Sequence, residues 1–151
     1  MANTFTQLYV HIVFSVKGRK NTLLPESKES LHKYITAIVQ KRNVKMMAIN
    51  STSDHIHIFL SIRPDTAISE IVRDIKHSSS NFINEKKWTI ERFQWQDGYG
   101  AFSYSHSQIS SVVKYILNQE EHHRKKTFKE EYIELLKLFN INYDEKYLFD
   151  I

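Results

Sequence analysis

Cysteine is absent from the chain, which removes a disulfide framework and a thiolate zinc site from consideration. A reducing compartment suits such a chain, and the cytoplasm is the expected location. Glycine occurs three times and proline twice, too few for a flexible or proline-rich linker. One domain spanning 1–151 is therefore expected. No apolar run approaches the roughly 20 residues of a membrane span, so no membrane partner is expected. Met1-Ala2-Asn3-Thr4 has neither a basic region nor an apolar stretch, so no secretory leader is expected. Nor is there a strong excess of one charge. A formal net charge of +4 permits a nucleic-acid partner without requiring one.

Apolar periodicity divides what remains. Thr6 to Val16 alternates, with Leu8, Val10, Ile12, Phe14 and Val16 on one side and Tyr9, His11, Val13 and Ser15 on the other, the pattern of a strand. Pro25 suits a helix start, and Leu31, Tyr34, Ile35, Ile38 and Val39 keep helical spacing up to Arg42. Val44 to Ser51 and Asp54 to Ile62 read as a hairpin. A helix from about Ala67 to Glu85 buries Ile68, Ile71, Val72, Ile75, Ser79 and Phe82, with Asp65 or Thr66 as its cap. Phe93 to Gln96 and Ala101 to Tyr104 read as short strands around Asp97-Gly98. Ser107 is the candidate cap of a helix carrying Ile109, Val112, Val113 and Ile116. A last amphipathic helix presents Tyr132, Leu135, Leu136 and Phe139. The order β-α-β-β-α-β predicts an α+β, ferredoxin-like (split βαβ) antiparallel sheet. Two helices cover one face, and the C-terminal helix with Tyr115 packs on the other.

The residues that carry chemistry lie on that second face. His55 and His57 are two apart on a strand and share a side, so both imidazoles can grip one metal ion. Spacing alone also fits two polar residues on a solvated strand face. Tyr115 and Gln119 are four apart on the predicted helix and point the same way. Gln119 offers one neutral oxygen, which with two imidazoles leaves positions open for phosphate oxygens. Neutral imidazoles suit manganese or zinc, and magnesium is tolerated when oxygen ligands complete the shell. A phenol has a pKa near 10 and needs a cation to ionise; the metal or Lys114 is the candidate. Attack on a phosphodiester would leave a 5′-phosphotyrosine that stores the broken linkage for transfer. Asp54 either orients an imidazole or caps the turn, and the turn is favoured. His122 and His123 follow Gln119 by three and four residues and either reach the same site, touch phosphate or have no role. For His11 a structural role is favoured.

Basic residues cluster at Lys17, Arg19 and Lys20, at Arg73, Lys76 and His77 beside a serine run, and from His122 through Arg124 and Lys125 to Lys126. The candidate DNA-binding set is Lys17, Arg19, Lys20, Arg73, Lys76, Ser80, Arg124 and Lys125, acting chiefly on phosphates. Trp88, Phe93, Trp95, Tyr99, Phe102 and Tyr104 are mostly expected in the core, with one or two available to stack on unpaired bases.

Four stretches in order resemble the single-tyrosine HUH transposases of small bacterial insertion sequences. They are Leu8-Tyr9-Val10-His11-Ile12-Val13-Phe14-Ser15, Asp54-His55-Ile56-His57-Ile58, Trp95-Gln96-Asp97-Gly98-Tyr99-Gly100-Ala101-Phe102-Ser103 and Tyr115-Ile116-Leu117-Asn118-Gln119-Glu120-Glu121-His122-His123. The resemblance implies a metal-dependent single-strand endonuclease and strand transferase that cuts DNA at element ends. It implies Tyr115 as nucleophile, His55, His57 and Gln119 as ligands, and Mg2+ or Mn2+ as cofactor. It further implies recognition of imperfect DNA hairpins and work as a homodimer, often with the tyrosine helix of one subunit completing the other's site. The first strand is a candidate for edge pairing in such a dimer. The alternatives are a domesticated hairpin-binding relative, a rolling-circle-type nicking enzyme, and a ferredoxin-like single-strand or RNA-binding module.

Overall fold

A computed structural model describes residues 3–123 and 125–149, without the side chain of His122. Arg124 and the His122 side chain, both parts of the predicted basic patch, lie outside the described residues. Four strands, β1 (Leu8–Ser15), β2 (Lys45–Ser51), β3 (His55–Ile62) and β4 (Gly100–Tyr104), form one antiparallel sheet in the order β2-β3-β1-β4. Helices α1 (Lys28–Lys41) and α2 (Ile68–Lys86) supply the βαβ crossovers. The predicted ferredoxin-like plan is the observed one.

Alternation drives the layering. Val10, Ile12 and Phe14 of β1 and Ile56, Ile58 and Leu60 of β3 meet Leu31, Ile35 and Val39 of α1 and Ile71, Val72 and Ile75 of α2 in the main core. Each fully buried side chain of this kind contributes about 1.5–3 kcal/mol. The opposite sheet face is covered by three further helices, α3 (Ile109–Leu117), α4 (Gln119–His123) and α5 (Phe128–Leu138). Val112 and Ile116 of α3 pack on Ala48 and Phe59. Phe128, Tyr132, Leu135 and Leu136 of α5 pack on Val13 and Phe102. The histidine face is therefore buried rather than solvated.

The register of β2 slips by one residue between Met46 and Ala48. One extra residue inverts the parity of all that follows. After it Ala48 pairs with Phe59 and Asn50 with His57, so Asn50 joins the histidine face. Its buried amide donates to the carbonyls of Ile116 at 2.8 Å and Leu117 at 3.3 Å, tying the end of α3 to the sheet.

Five local expectations are corrected. Phe93 to Gln96 is not a strand: Val16–Trp95 is an isolated bridge, because the Gln96 side chain takes the Ser15 N–H at 2.7 Å that a continuing ladder would use. The capping box before α3 is built by Ser105 with Gln108, not Ser107, and a 3₁₀ turn over His106–Gln108 leads into the helix. Neither Asp65 nor Thr66 caps α2, whose N-cap is Ala67; both instead bond Arg63 in the preceding turn. The predicted Tyr115–Gln119 helix breaks at Asn118 (φ −98°, ψ 26°), and Gln119 opens α4. Lastly, β1 lies between β3 and β4, so both its edges are taken and it offers no edge to a second copy.

Candidate metal and nucleophile site

The turn into β3 sets His55 and His57 at the start of the strand, and their side chains are 0% exposed. Asp54 Oδ1 lies 2.7 Å and Thr52 Oγ1 2.8 Å from His55 Nδ1, so Asp54 orients the imidazole, the role the sequence favours less. His11, diagonal to His57 on β1, places its Nε2 2.7 Å from His57 Nδ1 and stacks on that ring. His11 is thus in direct contact with the site. Its own Nδ1 is buried without a hydrogen-bond partner.

Gln119 survives the helix break in the expected place. Asn118 N–H still donates to Lys114 at 3.1 Å, and the Gln119 amide donates to the Tyr115 carbonyl at 3.3 Å. That bond turns Gln119 Oε1 inward, 3.4 Å from His55 Nε2. His123 also turns inward from the predicted basic patch: its Nδ1 meets the Lys126 carbonyl at 2.9 Å and its Nε2 lies 3.0 Å from Gln119 Oε1.

The residue that sequence reasoning misses is Glu131. A Thr127–Glu130 capping box starts α5 and sets Glu131 one residue on, 5% exposed. Its Oε1 lies 3.1 Å from His57 Nε2, 3.2 Å from His123 Nε2 and 3.5 Å from His55 Nε2. Its Oε2 accepts a hydrogen bond from the Tyr115 hydroxyl. The available signal was a carboxylate on the apolar stripe of Tyr132, Leu135 and Leu136, where an unpaired charge is costly.

Protonation follows from the partners. The Asp54 carboxylate and the Lys126 carbonyl only accept, so His55 and His123 carry their protons on Nδ1 when neutral. Their Nε2 lone pairs then face Glu131 Oε1 and Gln119 Oε1, which are also acceptors. Such a group is relieved by positive charge, either a proton on an imidazole or a metal ion among the donors. The ligand atoms of His55, His57, His123 and Glu131 all lie within 4.8 Å of one another. Donors held at about 2.1 Å by one ion sit about 3.0–3.4 Å apart, close to the 3.1–3.5 Å from Glu131 Oε1 to the three imidazole nitrogens. The residues present fit a divalent ion.

The pKa directions reflect the same contacts without an ion. Burial pushes His57 down to about 4 and holds His11 well below its usual value. Burial opposes charge on His55 too, but hydrogen bonds with Asp54 and Glu131 outweigh it and raise that imidazole. Burial works to raise Glu131, yet bonds from His123, His55 and His57 hold it well below the usual carboxylate range. Burial, then the Glu131 charge, keeps the Tyr115 phenol well above its ordinary value. Without a cation the tyrosine stays protonated.

A cleft of about 260 Å³ lined by Tyr115, Glu121, His123, Lys125, Lys126, Glu131 and Glu134 adjoins this group. Other predicted DNA contacts are placed elsewhere. Lys17, Arg19 and Lys20 are exposed just past β1, where Arg19 lies over the Phe149 ring at 4.5 Å and Lys20 pairs with Glu91 at 2.8 Å. Arg73, Lys76 and Ser80 lie on α2, across the sheet from Tyr115. The Lys76 ammonium is engaged by the carbonyls of Gln96, Asp97 and Gly98 at 2.7, 3.0 and 2.8 Å, and Ser80 Oγ bonds its own helix at His77. Phe93, Trp95 and Phe102 are core residues, whereas Trp88, Tyr99 and Tyr104 are only partly buried. Among the described residues no helix is long and apolar enough to cross a membrane.

Fold and site together define a class: a ferredoxin-like α+β domain that sets one tyrosine hydroxyl against a group of imidazoles suited to a divalent cation. The family is more specific. Residues 4–119 match the family described as Transposase IS200 like, and the chain belongs to that family, whose enzymes cleave DNA. It is 25% identical to the ISDra2 transposase TnpA of Deinococcus radiodurans over 122 residues, covering 76% of this chain and 86% of that one. It is 24% identical to the transposase for insertion sequence element IS200 of Salmonella typhimurium over 129 residues, covering 80% and 84%. In fold it resembles a crystal structure of a candidate transposase from Deinococcus radiodurans (TM-score 0.62, 20% identity, covering 79% of this chain and 95% of that one). It also resembles a REP-associated tyrosine transposase bound to a REP hairpin (TM-score 0.62, 16% identity, covering 82% and 73%).

Proposed function

We propose that this transposase cleaves and rejoins single-stranded DNA at insertion-sequence ends through a 5′-phosphotyrosine on Tyr115. His55, His57 and Gln119 are the proposed ligands of a Mg2+ or Mn2+ ion. The observation that carries the reading is one carboxylate, Glu131, shared by the Tyr115 hydroxyl and the histidine Nε2 atoms of the same chain. The Tyr115 phenol and the donor group thus stand side by side. When bound, the ion would polarise a phosphoryl oxygen and offset the charge that develops there.

Tyr115 Oη attacks the phosphorus, the O–P bond forms, and the bond from phosphorus to the 3′ oxygen breaks. The phenol gives up its proton and the 3′ oxygen leaves as a hydroxyl, so the step is proton-neutral. A second 3′-hydroxyl reverses the step on another strand. Asp54 and His11 hold the two imidazoles with Nε2 inward. Lys17, Arg19, Lys20, Arg73, Lys76, Ser80, Arg124 and Lys125 are the proposed DNA contacts, of which Lys125 stands at the mouth of the cleft. An element-end hairpin is the proposed ligand, in line with the hairpin bound to the REP-associated neighbour. A homodimer is proposed as the working state.

The test incubates the protein with single strands from both flanks of its gene and Mn2+ or Mg2+, followed by a denaturing gel. A covalent protein–DNA band that disappears with EDTA and in Tyr115→Phe is expected. Binding to both element ends without any adduct would reject the enzyme in favour of a domesticated hairpin-binding protein.

A further inference from the structure

The match to the family ends at residue 119, and the residue at the centre of the site, Glu131, lies beyond it on α5. We infer that Glu131 is a positioning residue that links the metal to the nucleophile: one carboxylate oxygen binds the divalent ion and the other holds the Tyr115 hydroxyl. This rests on the metal-and-tyrosine reading above and adds α5 to the machinery.

Three observations carry it. First, Glu131 Oε1 sits 3.1–3.5 Å from the Nε2 atoms of His55, His57 and His123. These are spacings of ligands around one ion. Second, the Nδ1 side of His55 and of His123 faces an acceptor that cannot donate. Each Nε2 is thereby turned away from Nδ1's partner and toward Glu131 Oε1 and Gln119 Oε1, so nitrogen and oxygen donors converge on one point. Third, the remaining oxygen is taken by the Tyr115 hydroxyl, so the two ends of one rigid carboxylate fix the nucleophile relative to the ion. His123, held by Lys126 and facing both Gln119 and Glu131, is the companion ligand on this side.

The architecture supports the placement. Phe128, at the first turn of α5, stacks on the His55 ring at 4.1 Å between centroids, and Tyr132 and Leu136 anchor the helix in its own cluster. The Glu131 side chain is thereby held between two fixed layers, as a residue controlling nucleophile geometry must be.

The experiment uses the full chain and compares wild type with E131Q, E131A and Glu131→Asp. Mn2+ binding is measured by EPR or calorimetry without DNA, hairpin binding by anisotropy in EDTA, and adduct formation under single-turnover conditions. Loss of even an outer partner of a metal ligand costs about 10–100-fold in affinity, so E131Q and E131A are expected to weaken Mn2+ binding by at least about tenfold. The rate of adduct formation at saturating Mn2+ should also fall, with hairpin affinity unchanged, and Glu131→Asp should recover part of both. Mn2+ affinity within twofold of wild type in E131Q would overturn the inference. So would faster adduct formation in E131Q, which would make the Glu131–Tyr115 contact a block. Should E131A fail to fold, the isosteric E131Q and the Asp variant decide alone. A wild-type protein that forms no adduct refutes the proposed function instead, so the two failures are distinguishable.

Discussion

Asn50→Ala tests how the tyrosine helix is held. The Asn50 amide is the link between the sheet and the C-terminal end of α3, donating to Ile116 O at 2.8 Å and Leu117 O at 3.3 Å while its Oδ1 accepts from Ser51 N–H at 3.0 Å. Alanine removes all three bonds in a site where the asparagine is 6% exposed. A net hydrogen bond is worth about 1 kcal/mol and an abandoned buried carbonyl costs about 1–3 kcal/mol. Water reaching the helix end recovers part of this, leaving a loss of about 2–3 kcal/mol. For a domain of this size that lowers Tm by about 5–10 °C. Urea denaturation and thermal melts of the metal-free protein measure it. The second readout is the single-turnover adduct rate at a temperature where both proteins are fully folded. Tyr115 lies one residue before the first carbonyl that Asn50 holds, and misplacement of a nucleophile by about 1 Å costs on the order of 100-fold. The rate is therefore expected to fall at least tenfold. A stability loss with an unchanged rate would refute the claim that Asn50 positions Tyr115. A Tm within about 1–2 °C of wild type, the scatter expected of surface changes, would refute the energetic claim.

Two other perturbations follow from the same packing. At Gly100 an added Cβ would meet Tyr132 Cε1 at 2.8 Å and Phe102 Cε2 at 3.1 Å. Gly100→Ala should therefore cost about 1–3 kcal/mol by overpacking, seen as a lower urea midpoint, and should weaken Mn2+ binding by shifting α5; a midpoint equal to wild type would show the two rings yield freely. His32, which bonds Ser51 Oγ at 2.8 Å, is pushed down to about 4 by burial and then by the Lys28 charge. The unfolded chain then binds more protons between about pH 6.5 and 4, so stability falls as pH drops through that window. Discounted for partial exposure, the effect is about 1–2 kcal/mol, and His32→Gln should lose that much less stability than wild type between pH 7 and 4 in urea melts. Equal losses in the two proteins would remove His32 from the acid response.

The alternation of β1 and β3, the helical spacing of α1 and α2 and the His-x-His pair are local patterns, so the sheet, its two covering helices and a histidine face were legible in the chain itself. Periods of two and 3.6 residues are properties of a single segment and need no partner to be read. Tyr115 and Gln119 were legible for the same reason, even though the helix breaks between them. What covers the histidine face depended on contacts between residues distant in sequence. Glu131 meets His57 across 74 positions, and Asn50 meets Ile116 across 66. The parity of Asn50 depended on a single bulge, and the place of β1 inside the sheet on the packing order of all four strands. Tertiary structure alone decided that α5 brings a carboxylate between the imidazoles and the phenol, because a buried charge declares its purpose only through the groups brought around it.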